Sequence, residues 1–435
     1  MSERWLSSWG LATVAFGGAS LIVPLYVVEL GGDAFVLGLL FATASFVGVP
    51  SALVFGGLAD RTGKRRVFVL TAMAIAFAAM LAIPLLGNIA LVIVANALLW
   101  LGFAAAIPVL TLLVVAGEPE ERWTSLISSL NKFQGIGWAL GLALGFIVIA
   151  IGTQVASTLT AQRAFFFACA ASAGVGFVRA FQTLPPDPKP GEEPAPRRLR
   201  RRVRDAARFN IRGAAFPFTP SRFDPRDLHP RTFVDRFTPK LASYFLAVFI
   251  VFTGFGVFFA PLPAYLSDAG STSSEIFGLY LVLNVGAAVY FGRVASLVSN
   301  YDLFPVHIGG LLARSFALPA VAVVGVVAGG TLLGQGVTGM VFVLIGLTWA
   351  VIAVTATTLV TTLSSPVIRG EALGVYGALV AVGGGVGGLL GGWLAGFGYL
   401  VAFGVAGVVV VAGATVVVRL SRGGTPLSPP APDAV

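Results

Sequence analysis

Five polar side chains, Ser128, Ser129, Asn131, Lys132 and Gln134, fall within seven residues of an otherwise apolar run. A lysine is costly in hydrocarbon, so Lys132 either faces a water-filled cavity or snorkels to headgroups at the end of its helix. In a cavity its ammonium attracts an anion, or carries a proton with a lowered pKa. It lies ten residues past Arg122, about 15 Å along a shared helix. The second charged group is Gly56-Gly57-Leu58-Ala59-Asp60-Arg61-Thr62-Gly63-Lys64-Arg65-Arg66, with one acid, four bases and three glycines in eleven residues. Such a cluster cannot enter hydrocarbon, so it reads as a short aqueous connection between two spans, with Gly63 suited to a tight turn. Its bases place it on the cytoplasmic side.

Membrane-crossing helices must hold both groups. The 435-residue chain is 57% hydrophobic and 11% charged, whereas soluble domains are about 45–50% apolar and about 25% charged. The net charge of +9 sits in loops between apolar runs, not in one patch, so it reads as topology and no nucleic-acid partner is expected. The single cysteine, Cys169, excludes an intramolecular disulfide and a cysteine-based metal site. The first apolar run is too long for a cleavable leader and continues into the next.

Spans of about twenty apolar residues cross a bilayer. They are expected at 9–28, 35–59, 67–86, 90–116 with Pro108 inside, 126–151 and 164–181. A second set follows at 241–266, 276–298, 305–329, 337–363, 372–395 and 399–418. The stretch 184–240 has no such run and holds fourteen of the chain's 28 Lys and Arg. It reads as a Pro-rich, basic cytoplasmic linker, lying on anionic headgroups at 197–212 or serving as a docking arm. The chain thus divides into a six-helix bundle (1–183), the linker (184–240), a second bundle (241–420) and a cytoplasmic tail (421–435). The presumed outer loops hold Glu29, Asp33, Asp268 and Glu275 against Arg163, which puts both termini inside and the protein in the cell membrane.

The halves repeat. Pro24-Leu25-Tyr26 and the following Phe35–Leu39 echo Pro261-Leu262-Pro263 and Glu275–Leu279, and Arg122 aligns with Arg369. Gly137, Gly141 and Gly145 then align with Gly384, Gly388 and Gly392, a spacing of four that lets helices approach closely. The order Gly-x-Leu-Ala-Asp-Arg-x-Gly-Lys-Arg-Arg at Gly56–Arg66 resembles the signature loop between helices 2 and 3 of the major facilitator superfamily of transporters. The resemblance covers the chain outside the linker. It implies an all-α polytopic fold of about twelve transmembrane helices in two pseudo-symmetric six-helix bundles around a central cavity. It also implies that Gly56, Asp60, Arg61, Gly63, Lys64, Arg65 and Arg66 brace the halves against Arg369 and Glu371 at the start of helix 11.

Within such a fold Asn131, Lys132 and Gln134 are expected to line the cavity. Tyr26, Asn96, Trp100, Asn284 and Trp349 are further lining candidates at or near mid-span. No Asp or Glu falls near the middle of a span, and helix 4 lacks the arginine that members of this family carry. Helix 5 also lacks the proline of antiporter-type members. No enzyme signature, ATP-binding loop or metal-ligand cluster is present, so neither catalysis nor a cofactor is expected. The expectation is a monomeric secondary transporter of a small organic solute, with efflux of amphipathic compounds ahead of an anionic metabolite held by Lys132. A sensor or scaffold whose output is the linker is a third reading.

Overall fold

The computed structural model describes residues 4–62, 64–115, 122–187, 237–365 and 368–422. Among them there is no strand. The first half consists of α1 (Arg4–Glu29), α2 (Ala34–Thr62), α3 (Arg65–Ala82), α4 (Ile89–Val114), α5 (Trp123–Val155) and α6 (Thr158–Thr183). The second consists of α7 (Pro239–Phe259, then Leu262–Asp268), α8 (Ser273–Asn300), α9 (Leu303–Ala328), α10 (Leu332–Leu363), α11 (Arg369–Ala395) and α12 (Tyr399–Arg422). Eleven helices are long and apolar enough to cross a membrane, and Ala34–Gly48 of α2 adds a shorter apolar segment.

Most helices outrun their apolar runs because polar caps start them earlier. Asn88 accepts from the amides of Ala90 and Leu91, Ser157 from Thr160, Thr238 from Leu241 and Thr331 from Gly334. Thr272 and Glu275 cap α8 reciprocally, each side chain accepting the other's amide. The 56–66 segment is more helical than expected. Ala, Leu and Arg sustain α2 through Thr62, and only residues 63–64 separate it from α3. Helix α7 breaks at Ala260-Pro261, because proline has no amide hydrogen for the ladder.

Helix α1 packs on α5 and α6, α2 on α4, and α3 on α4 and α6. The second half repeats this scheme: α7 packs on α11 and α12, α8 on α10, and α9 on α10 and α12. Between halves, α2 meets α11 and α5 meets α8, which are exchanged by the same pseudo-twofold relation.

Glycine makes these approaches possible. A Cβ at Gly137 would meet Gly10 and Thr13 of α1, and one at Gly141 would meet the backbone of Val14 and Gly18. On α11 the row against α7 is Gly383, Gly387 and Gly391, one residue earlier than the sequence alignment picks. Gly388 and Gly392 turn instead to Phe41, Ala34 and Gly38 of α2, and Gly145 turns to Phe277 of α8, so these three serve the seam between halves. The backbone oxygen of Gly384 lies against Gly256 of α7. Lipid offers helices no hydrophobic reason to associate, so close van der Waals contact is the cohesive term here.

Two glycines of α5 give a controlled test. Gly141→Val should lower the stability of detergent-purified protein by about 1–3 kcal/mol through overpacking. Gly135→Ala, whose added Cβ meets nothing within 4 Å, should leave thermal unfolding unchanged or raise it slightly, since alanine favours helix by up to about 1 kcal/mol. Thermal unfolding of both variants beside the parent reads the difference.

Candidate functional site

A cavity lies between the halves. It is built by α1, α2 and α4 on one side and by α7, α8, α9, α10 and α11 on the other. It encloses about 1220 Å³ of space between atoms, part of it continuous with solvent. The lining is mainly apolar and aromatic: Phe41, Trp100, Phe103, Phe255, Phe259 and Trp349 set the walls. Polar groups are few, namely Ser20, Ser45, Asn96, Tyr280, Asn284 and Arg314.

Four sequence candidates meet here. Asn96 and Trp100 lie one turn apart on α4, and the Trp100 indole donates to Asn96 Oδ1 at 3.1 Å. Asn284 donates to the Tyr280 carbonyl at 2.8 Å, which fixes its amide on α8. Trp349 comes from α10, the pseudo-symmetric partner of α4, and packs edge-on to Phe252 and Phe255. Trp100 and Trp349 therefore present indole rings to the same space from opposite halves.

The other four candidates lie outside this lining. Tyr26 is fully buried, and its hydroxyl donates to the carbonyls of Pro84 and Leu86, pinning α1 to the end of α3. Gln134 accepts from the Trp9 indole at 3.3 Å and ties α5 to α1. Asn131 is half-buried. Lys132 is exposed, on a stretch of α5 whose exposed positions also include Ser128, Ile136 and Leu140.

The charge in the cavity is a residue not singled out from the sequence. Arg314, on α9, is only 1% exposed. Its Nη1 donates to the Ile345 carbonyl at 2.9 Å and to Thr348 Oγ1 at 3.4 Å. Its guanidinium carbon sits 4.5 Å from the Phe255 ring centre, 5.5 Å from Phe259 and 5.6 Å from Trp349. Its Nε is buried with no hydrogen-bond partner, and among the described residues no carboxylate lines the cavity. Cation–π contacts contribute about 0.5–2 kcal/mol each, whereas desolvating an ion costs several kcal/mol. The rings and neutral acceptors hold the group in place without cancelling its charge. The signal in the sequence was an arginine near the middle of the 305–329 run, the pattern that marks function in a membrane helix.

The switch residues are described in part. Gly56, Asp60 and Arg61 fall within α2, and Glu371 follows Arg369 at the start of α11. The side chains of Asp60, Arg61 and Glu371, and all of Gly63, lie outside the described residues, and so does the expected pairing of Glu371 with the bases. Lys64 is exposed. The Arg65 Nε is buried without a partner. Arg66 is clamped within its own half: its amide donates to Asp187 Oδ1 at 2.7 Å, its guanidinium donates to the Phe181 carbonyl, and it covers the Phe181 ring at 5.3 Å. Arg369 Nε donates to the Thr361 carbonyl at 3.2 Å, joining α11 to α10.

The halves are held together at the end of the molecule that carries Glu29, Asp33, Asp268 and Glu275. There Gly38 faces Gly388 and Gly392, Phe146 faces Gly278, Phe165 packs on Phe277 at 5.4 Å, and Gln162 donates to Ser273 Oγ at 3.1 Å. The structure is therefore the state shut at the acidic end.

Two pseudo-symmetric helical halves around a cavity shut on one side form the architecture of a membrane transporter. The model of the Major Facilitator Superfamily matches residues 8–366, and the chain belongs to that family. The provisionally assigned niacin/nicotinamide transporter NiaP of Bacillus subtilis (strain 168) is 28% identical over 116 residues. That match spans 26% of this chain and 29% of the relative. A D-xylose–proton symporter superposes with a TM-score of 0.70 at 15% identity, over 97% of this chain and 98% of that one. A bacterial homologue of the human lysosomal transporter Spinster, in an inward-facing and occupied conformation, does so at 0.69 and 13% identity, over 97% and 98%.

The seam at the acidic end can be forced. A Cβ at Gly38 would enter the backbone of Gly388 and Gly392, so Gly38→Val should favour the state open on that side. A cysteine in place of the cavity residue Ser20 reports it, because the native Cys169 is buried. Labelling by an impermeant maleimide applied from the acidic end should rise several-fold over the same cysteine in the parent.

Proposed function

We propose that this transporter carries a small organic anion with a flat, apolar body, aromatic carboxylates being the model class, by alternating access around Arg314. One observation carries the reading: a buried guanidinium without a carboxylate partner in a cavity walled by aromatic rings. Arginine presents a planar fork of donors that matches a carboxylate, and a charge-assisted bond in a water-poor site contributes about 1.5–3 kcal/mol. Trp100 and Trp349 offer ring faces for the body of the solute, and Asn96 and Asn284 offer amides to a second polar atom. The amphipathic solute expected from the sequence keeps its apolar part in this reading and gains a charged end, held by Arg314 in place of Lys132. The Bacillus relative is named for niacin and nicotinamide; niacin is a pyridine carboxylate with these features, and nicotinamide is its uncharged amide.

The charge asymmetry supports an orientation with the acidic end outside a cell membrane and the basic end, with both termini, in the cytoplasm. The contacts that join the halves at the acidic end would then close the outer side. The direction of net transport follows from the gradients of the solutes it binds.

Binding separates this from a site for neutral drug-like compounds and from a sensor without transport. Nicotinate and benzoate should raise the melting temperature of purified protein, whereas nicotinamide, the uncharged isostere, should do so weakly or not at all. Arg314→Gln should weaken carboxylate affinity by roughly 10- to 100-fold, the equivalent of one charge-assisted bond. Equal shifts from nicotinate and nicotinamide would contradict the anion site. Carboxylate binding without flux in liposomes would favour the sensor.

A further inference from the structure

We infer that Asn96 selects among the anions this site takes: the cavity suits an aromatic carboxylate that also carries a hydrogen-bond acceptor in or on its ring, and the Asn96 amide donates to that acceptor. The inference rests on the anion-site reading above and adds to it a second recognition point, on the opposite half.

The cavity wall supplied by the first half has four polar side chains, Ser20, Ser45, Asn96 and Trp100. Three of them have already committed their hydrogens. Ser20 Oγ donates to the Gly17 carbonyl at 2.7 Å, and Ser45 Oγ to the Phe41 carbonyl at 2.9 Å, each within its own helix. The Trp100 indole donates to Asn96 at 3.1 Å. An indole nitrogen can only donate, so the atom it meets on Asn96 is the amide oxygen, and the amide nitrogen is the end left over. Among the described residues that nitrogen has no hydrogen-bond partner, although Asn96 is only 3% exposed. A buried N–H left unbonded is costly, so a donor on a cavity wall with no protein partner favours a solute that completes it. Asn284, on the facing wall, gives one amide hydrogen to the Tyr280 carbonyl and keeps an oxygen and a second hydrogen, so it suits donors and acceptors alike.

Asn96 also stands at the right depth. It lies one turn before Trp100 on α4. The residue one turn before Trp349 on α10 is Ile345, whose carbonyl accepts from Arg314 Nη1 at 2.9 Å. The pseudo-twofold relation that exchanges α4 with α10 runs along the membrane normal and so preserves depth. Asn96 and the anchor of Arg314 therefore address the cavity at similar levels from opposite halves. A flat solute held at Arg314 turns its far edge toward Asn96, where a ring nitrogen or a carbonyl oxygen accepts and a C–H does not. A site with such an unmet donor discriminates against the isostere that lacks the acceptor.

Calorimetric titration of purified full-length protein with benzoate, nicotinate and isonicotinate tests this. At neutral pH the three acids match in size and charge and differ by one ring C–H exchanged for nitrogen. At least one pyridine acid should bind about two- to tenfold more tightly than benzoate, the equivalent of one neutral hydrogen bond. Trp100→Phe keeps the amide and should keep this preference. Asn96→Leu made together with Trp100→Phe, which leaves no stranded indole N–H, should reduce it to parity. Melting temperatures check that both variants are folded, and the titration of the parent decides even where they are not. Equal affinities for the three acids in the parent, a preference lost already in Trp100→Phe, or a preference that outlasts the amide would each overturn the role of Asn96. In those cases carboxylate binding that weakens in Arg314→Gln leaves the anion site standing. If none of the three acids binds, the anion site is lost and the selection by Asn96 with it.

Discussion

A helix in lipid gains nothing hydrophobic by leaving lipid for another helix, so the bundle is held by how closely backbones can approach. Several close crossings among the described residues use an absent side chain. Gly137 and Gly141 seat α5 on α1, Gly383, Gly387 and Gly391 seat α11 on α7, and Gly38 meets Gly388 and Gly392 across the two halves. The same device thus serves two purposes. Within a half it makes a fixed body. Between halves it lets α2 and α11 meet backbone to backbone, beside the aromatic contact of Phe165 with Phe277.

Against this neutral framework a single charge stands out. Arg314 is fixed by neutral acceptors and aromatic faces drawn from α7 and α10, so its position is determined before any solute arrives. Preorganisation of this kind reduces the ordering that binding would otherwise require. The cavity around it is built almost evenly from pseudo-equivalent helices, yet the charge belongs to one half only. That asymmetry leaves one wall of the cavity charged, at α9, and the wall of the first half neutral.

Much of the fold was legible in the sequence because lipid imposes simple demands. Apolar runs of about twenty residues gave the spans. The limits of the helices were not legible, since hydropathy ignores caps such as Asn88, Ser157 and Thr331, which extend helices beyond the apolar runs. The site was legible in part. Asn96, Trp100, Asn284 and Trp349 stand out as polar or aromatic groups at mid-span, and the fold gathers them. Lys132 drew attention because polar residues surround it in sequence, but those neighbours are spread around α5. Arg314 was hidden by the opposite circumstance: apart from Ser315 its neighbours in sequence are apolar, and the rings that define its setting come from two other helices.

The connections at the acidic end are short, and four of them turn on a glycine with positive φ: Gly31, Gly270, Gly330 and Gly398. Only glycine takes that conformation without strain, so the chain reverses in a few residues and re-enters the membrane at once. That surface is consequently low and stiff, with little chain for a protease to seize or for a docking protein to grasp. The opposite face differs: there Asp187, where the sequence enters its long basic segment, accepts the Arg66 amide and ties the end of the first half to the first turn of α3.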